Sequence, residues 1–133
     1  MIELVTLVVD DYDAAIAWFT SVLGFALVED VPSLTNDGRA KRWVIVRPPG
    51  AQTGVLLAKA DGDAQRSAVG QQFAGRVGMF LRVDDFEGTL ARLERAGAEI
   101  VTVPRDEPYG RVVVFRDLCG NKWDLLGPRP ATS

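Results

Sequence analysis

Two carboxylates are the candidates for acid–base or cation chemistry in this chain: Asp124, the one acid in the largely apolar stretch Lys122-Trp123-Asp124-Leu125-Leu126, and Glu107, in the polar segment Arg105-Asp106-Glu107-Pro108-Tyr109-Gly110. An acid in an otherwise greasy strand is suited to hold a metal, a counter-cation or a polar group of a ligand, because an unpaired charge is costly there. The 133 residues contain no histidine, so a histidine triad is impossible, and proton transfer falls to carboxylates, Tyr, Lys or Cys. The single cysteine, Cys119, lies in a turn with no histidine to activate it and no partner for an internal disulfide, which suits a reducing compartment. Phosphate-binding glycine loops, C-x-x-C pairs and nucleophile elbows are absent.

The strands and helices that must position these acids are written twice. Thr6-Leu7-Val8-Val9-Asp10-Asp11-Tyr12-Asp13 is echoed by Phe80-Leu81-Arg82-Val83-Asp84-Asp85-Phe86-Glu87. Each copy is an apolar strand running into an acid–acid–aromatic–acid start and then an amphipathic helix. Asp11 and Asp85 are suited to cap the helix N-termini, and Gly24 and Gly97 to end the helices. Further strands are expected at Ala26–Glu29, Arg42–Arg47 and Gly54–Ala58 in the first half, and at Glu99–Val103, Arg111–Phe115 and Lys122–Leu126 in the second. Residues Pro32–Ala40 read as a flexible loop. The chain is thus one domain of class α+β: two tandem βαβββ modules, about residues 2–60 and 76–127, joined by a linker at about 61–75 and ending in a flexible tail, 128–133. Side by side, two such sheets can curl into a half-barrel with helices on the convex face and a cup on the other.

Composition narrows the function. Apolar residues make up 47 % and the net charge is −3, which fits a soluble globular protein and disfavours nucleic acid. No signal-peptide pattern opens the chain and no apolar run is long enough to span a bilayer, so a cytoplasmic location is expected.

The stretches VTLVVDDYDAAIAWFTSVLGF, VGMFLRVDDFEGTLARLERAGAEI and VVVFRDLCGNKWDLLGP resemble the vicinal oxygen chelate superfamily, which includes glyoxalase I, extradiol dioxygenases, and fosfomycin- and bleomycin-resistance proteins. The last stretch is similar to that family's F-x-D-P-x-G-N-x-x-E/D-L hairpin, with Leu118 in the usual place of proline. The resemblance implies the half-barrel and places the family's metal ligands at Leu4, Leu57, Gly78 and Asp124; a one-residue slip would bring Glu3 to the first position. Leucine and glycine side chains do not coordinate cations, and a catalytic metal generally needs three or more protein ligands, so no metal cofactor is expected. The resemblance also implies a homodimer.

Strand alternation puts Thr6, Leu57, Phe80 and Arg82 on the cup face with Asp124, and Trp43, Tyr109 and Phe115 on or near it. These eight residues are the candidate ligand contacts, and Asp124 and Glu107 the candidate catalytic groups. Asp124 is read either as half of a structural ion pair with Arg82 or as a ligand contact. Arg39, Lys41 and Arg42 form a small basic cluster that reads first as a solvated face and, as the alternative, as a receiver for an anionic ligand group. The reading that fits best is metal-independent binding of a small aromatic or cationic molecule, as in the bleomycin-resistance branch. The alternatives are a glyoxalase-type lyase or isomerase with a non-standard site, and a structural domain with a filled cup.

Overall fold

A computed structural model describes residues 1–130; residues 131–133, the end of the expected flexible tail, lie outside the described residues. The chain forms two compact units, Met1–Gln72 and a second beginning at Phe73. The first contains β1 (Leu4–Val9), α1 (Tyr12–Ser21), β2 (Ala26–Leu34), β3 (Ala40–Arg47), β4 (Gly54–Lys59) and the short α2 (Asp63–Ala68). The second contains β5 (Val77–Arg82), α3 (Phe86–Arg95), β6 (Arg105–Glu107), β7 (Gly110–Arg116) and β8 (Lys122–Gly127). The sheet orders, β1-β4-β3-β2 and β5-β8-β7-β6, are the same arrangement made twice, so the class is α+β with two tandem βαβββ modules.

Local chemistry starts and stops the helices as the residues suggest. Asp11 accepts from the Ala14 N–H at 2.7 Å and Asp85 from the Gly88 N–H at 3.0 Å, each satisfying a donor the helix itself cannot. Gly24 and Gly97, just past α1 and α3, adopt φ of 71° and 75°, a region that a side chain disfavours.

In each unit the long helix covers one face of the sheet. Leu7, Val9, Phe19, Val44, Val46 and Leu57 form the fully buried core of the first, and Leu93, Val113, Phe115 and Leu125 that of the second. At the edge strand β1 the Gln72 amide acts as a substitute peptide group: it accepts from the Val8 N–H at 2.9 Å and donates to the Thr6 carbonyl at 2.6 Å.

Three expectations about elements are corrected. The Pro32–Ala40 loop is shorter than expected: β2 runs to Leu34 and pairs with β3 from Ala40, leaving only residues 35–39 as the turn between them. Pro32 is tolerated because β2 is an edge strand. The strand expected at Glu99–Val103 shrinks to one bridge, Ile100 to Phe115. The partner of β7 is instead β6, cut from the polar segment Arg105–Gly110 for which no strand is expected, with Arg105 opposite Val112 and Glu107 opposite Gly110.

Candidate ligand-binding site

The DLCGN turn that closes the β7–β8 hairpin is organised by a residue the sequence reading passed over. Asp117, only 6 % exposed, collects five hydrogen bonds. Its Oδ1 accepts from the N–H groups of Cys119, Gly120 and Asn121 at 2.9–3.0 Å. Its Oδ2 accepts from the Asn121 side chain at 3.3 Å and from the Trp123 indole N–H at 2.9 Å. The signal was legible as an Asp followed by Gly-Asn in a turn. The indole bond pins Trp123 against the helix side, where it stacks on Phe115 with ring centroids 5.9 Å apart.

With Trp123 facing the helix, strand alternation turns Asp124 to the other face. There it sits in a row between Phe80 of β5 and Val114 of β7, one step from the row Arg82–Leu126–Val112–Arg105. Phe80 is 65 % exposed, while Val114 is buried. Desolvation by these apolar neighbours pushes the Asp124 carboxyl above its ordinary value, and the positive charge of Arg105 partly opposes the shift. Among the described residues no ion pair engages Asp124. The expected Asp124–Arg82 pair is not formed, because the register sets Arg82 against Leu126 rather than Asp124. Arg105, reached only through the unforeseen β6–β7 pairing, is the cation that acts on Asp124. Arg105 is itself anchored: its Nε donates to Glu107 at 2.9 Å, and hydrogen bonding to Glu107 and then Tyr109 raises its pKa. Glu107, one of the two candidate bases, is therefore committed to Arg105, and Tyr109 stands exposed beside it in the β6–β7 turn.

The second unit thus brings together Asp124, Phe80, Arg82 and, at its edge, Glu107 and Tyr109. It does not bring Phe115 to that face: Phe115 is fully buried on the helix side. In the first unit, Thr6 lies opposite Leu56, and Trp43 faces away from the helix, flanked by Val31. Leu57 pairs with Leu7 and Val44 and is wholly buried under the helix. The strand alternation assumed for β4 is off by one residue, and Leu56 and Ala58 occupy the face on which Leu57 was expected.

Three of the four positions matched to the family's metal ligands offer no ligating side chain. Leu4 faces Gly54, the β4 position is apolar whichever of Leu56 and Leu57 is chosen, and Gly78 lies under the Phe73 ring. A Cβ at Gly78 would come within 2.1 Å of that ring, so the aromatic side chain fills the space a ligand side chain would need. Among the described residues no three His, Cys, Asp or Glu side chains gather in a metal-binding arrangement. Gly78→Ala should therefore destabilise the protein by about 1–3 kcal/mol through overpacking. The double variant with Phe73→Ala should show strong non-additivity in urea denaturation, and additive effects would contradict the contact.

A family model described as "Glyoxalase/Bleomycin resistance protein/Dioxygenase superfamily" matches residues 2–125. The chain belongs to this superfamily. Among relatives of this glyoxalase-superfamily chain, an uncharacterized protein of Shewanella frigidimarina is 44 % identical over 123 residues, covering 92 % of this chain and 89 % of that protein. The uncharacterized protein YurT of Bacillus subtilis is 30 % identical over 90 % of this chain and 93 % of its own length. Among solved structures, UcmS2 superposes with a TM-score of 0.75 at 29 % identity, covering 95 % of this chain and 96 % of its own. TnmS3, an antibiotic binding protein from Streptomyces sp. CB03234, does so with a TM-score of 0.72 at 29 % identity, covering 96 % and 95 %. No helix among the described residues is long and apolar enough to cross a membrane.

Proposed function

We propose that this superfamily member binds a small molecule of aromatic and cationic character, without a metal, on the helix-free face of the second sheet around Asp124. The observation that carries the reading is Asp124 itself: a part-buried carboxylate between Phe80 and Val114, with no ion-pair partner among the described residues. A cationic group on a ligand would supply the missing counter-charge, and the exposed Phe80 ring would supply stacking area. The likeness to TnmS3, an antibiotic binding protein, supports a binding role over turnover. The test is a thermal-shift screen of cationic aromatic compounds, their neutral isosteres and divalent ions. A true ligand at 100 times its Kd should add about 2.7 kcal/mol of stability. Stabilisation by cationic aromatics alone is the expected result; stabilisation by a divalent ion alone would overturn it.

The chain is also read as a homodimer. The edge strand β2 exposes Leu27, Val28, Val31 and Leu34, an apolar margin that a second copy would cover. Sedimentation equilibrium should give twice the chain mass, and a strictly monomeric mass at tens of micromolar would refute the assembly.

A further inference from the structure

We propose that the forked end of the first sheet binds a small aromatic carboxylate. Strands β3 and β4 pair only from Val44 to Val46. Beyond that, β3 stays bonded to β2 as far as Ala40, while β4 stays bonded to β1 as far as Lys59. The two strands therefore diverge, and a cleft of about 810 Å³ opens between them, within the range of roughly 300–1,000 Å³ typical of small-molecule sites. Trp43, Tyr12 and Leu56 give it aromatic and apolar walls, and Lys41, Lys59 and Gln65 give it polar points. Tyr12 is fixed in place: its hydroxyl accepts from the Arg42 N–H at 3.2 Å, and its ring lies 5.1 Å from the Arg42 guanidinium carbon.

The charge chemistry follows from which groups are already committed. Arg39 is held by Asp37 at 3.1 Å and Asp61 at 2.8 Å, and Arg42 by Asp13 at 2.9 Å and Asp30 at 2.7 Å. The acids around the cleft are thus engaged by arginines, and Asp37, bonded by Thr35 and Arg39, is lowered to about 2. Arginine hydrogen bonding holds Asp61 and Asp30 below the ordinary carboxylate value as well. Among the described residues no ion pair engages Lys41 or Lys59. Gln65 accepts from the Asp61 N–H at 2.8 Å through its oxygen, which turns its amide N–H groups toward other acceptors. The uncommitted groups of the cleft are donors and cations beside aromatic walls, the complement of a flat molecule bearing a carboxylate. The basic cluster at residues 39–42 is therefore split by the fold: its two arginines are structural, and its lysine is available.

The probe is 2-naphthoate, titrated calorimetrically into the full chain, with 2-naphthylmethylammonium as the cationic counterpart. Naphthoate should bind the native protein and weaken as salt rises from about 20 to about 300 mM. Lys41→Gln with Lys59→Gln should lower its affinity by about tenfold or more, while Lys41→Arg with Lys59→Arg retains it. Both lysines are exposed, so the variants should unfold at the same denaturant midpoint as the parent. The proposal is overturned if naphthoate gives no binding heat at about 5 mM, if the double glutamine variant binds like the parent, or if the ammonium probe competes for the cleft.

Discussion

Asp117→Ala is expected to lower folding stability by about 3–5 kcal/mol, a large share of the roughly 5–15 kcal/mol that holds a domain of this size together. The reason is the number of donors left behind. Three backbone N–H groups, an amide and an indole N–H all point at one buried carboxylate. Each donor that loses a charged acceptor forfeits more than a neutral hydrogen bond, and water has little room to replace it at a residue 6 % exposed. Asp117→Asn is the informative companion. Its remaining oxygen can still accept the three backbone N–H groups, but its amide nitrogen would then confront the Trp123 indole, donor against donor. Its cost should be smaller, about 1–3 kcal/mol, and should appear as altered tryptophan emission. Urea denaturation checks both variants. A midpoint for Asp117→Ala within error of the parent would show that the turn does not depend on this carboxylate.

The second large effect is on binding. Asp124→Asn should weaken a cationic aromatic ligand by about tenfold, ~1.4 kcal/mol, the order expected when one partner of a half-exposed charge pair is removed. Stability should move the other way. Because burial raises the Asp124 carboxyl pKa, the native state holds this proton more tightly than the unfolded chain does. Ionisation of the group therefore costs stability as pH rises from the ordinary value of 3.8 through the raised one, and the cost is fully present above that window. The asparagine variant escapes this cost, so at neutral pH it should be at least as stable as the parent, and the difference should vanish below pH 3.8. Ligand affinity in the parent should decline as pH falls through the raised pKa, since only the carboxylate attracts a cation. A variant that loses stability while keeping its ligand response would assign Asp124 to the scaffold instead.

These two acids show where a sequence is legible and where it is not. Asp124 stands out on paper because it is the one acid in an otherwise largely apolar strand. Asp117 does not, because an acid before Gly-Asn is ordinary turn chemistry, and its importance lies in the inward-pointing donors that the turn collects. Arg105 was hidden for a different reason. It affects Asp124 only because β6 pairs with β7 in a register that sets Arg105 opposite Val112, two strands from Asp124. The Asp124–Arg82 pairing failed on register as well, which no local pattern specifies.

By itself, the chain determined the repeat, the helix caps and ends, the α+β class and the lack of a ligating side chain at three of the four positions matched to metal ligands, because these follow from residue type and short-range periodicity. Only the tertiary structure decided that Leu57 and Phe115 face the helices, that Phe73 fills the space above Gly78, and that Arg105 rather than Arg82 acts on Asp124. It also decided that β3 and β4 part to leave a cleft lined by Lys41 and Lys59, which no ion pair engages among the described residues. The physical reason is the same in each case: a one-residue change of strand register reverses which face a side chain joins, and register is set by packing between segments distant in the chain rather than by the residues of either strand alone.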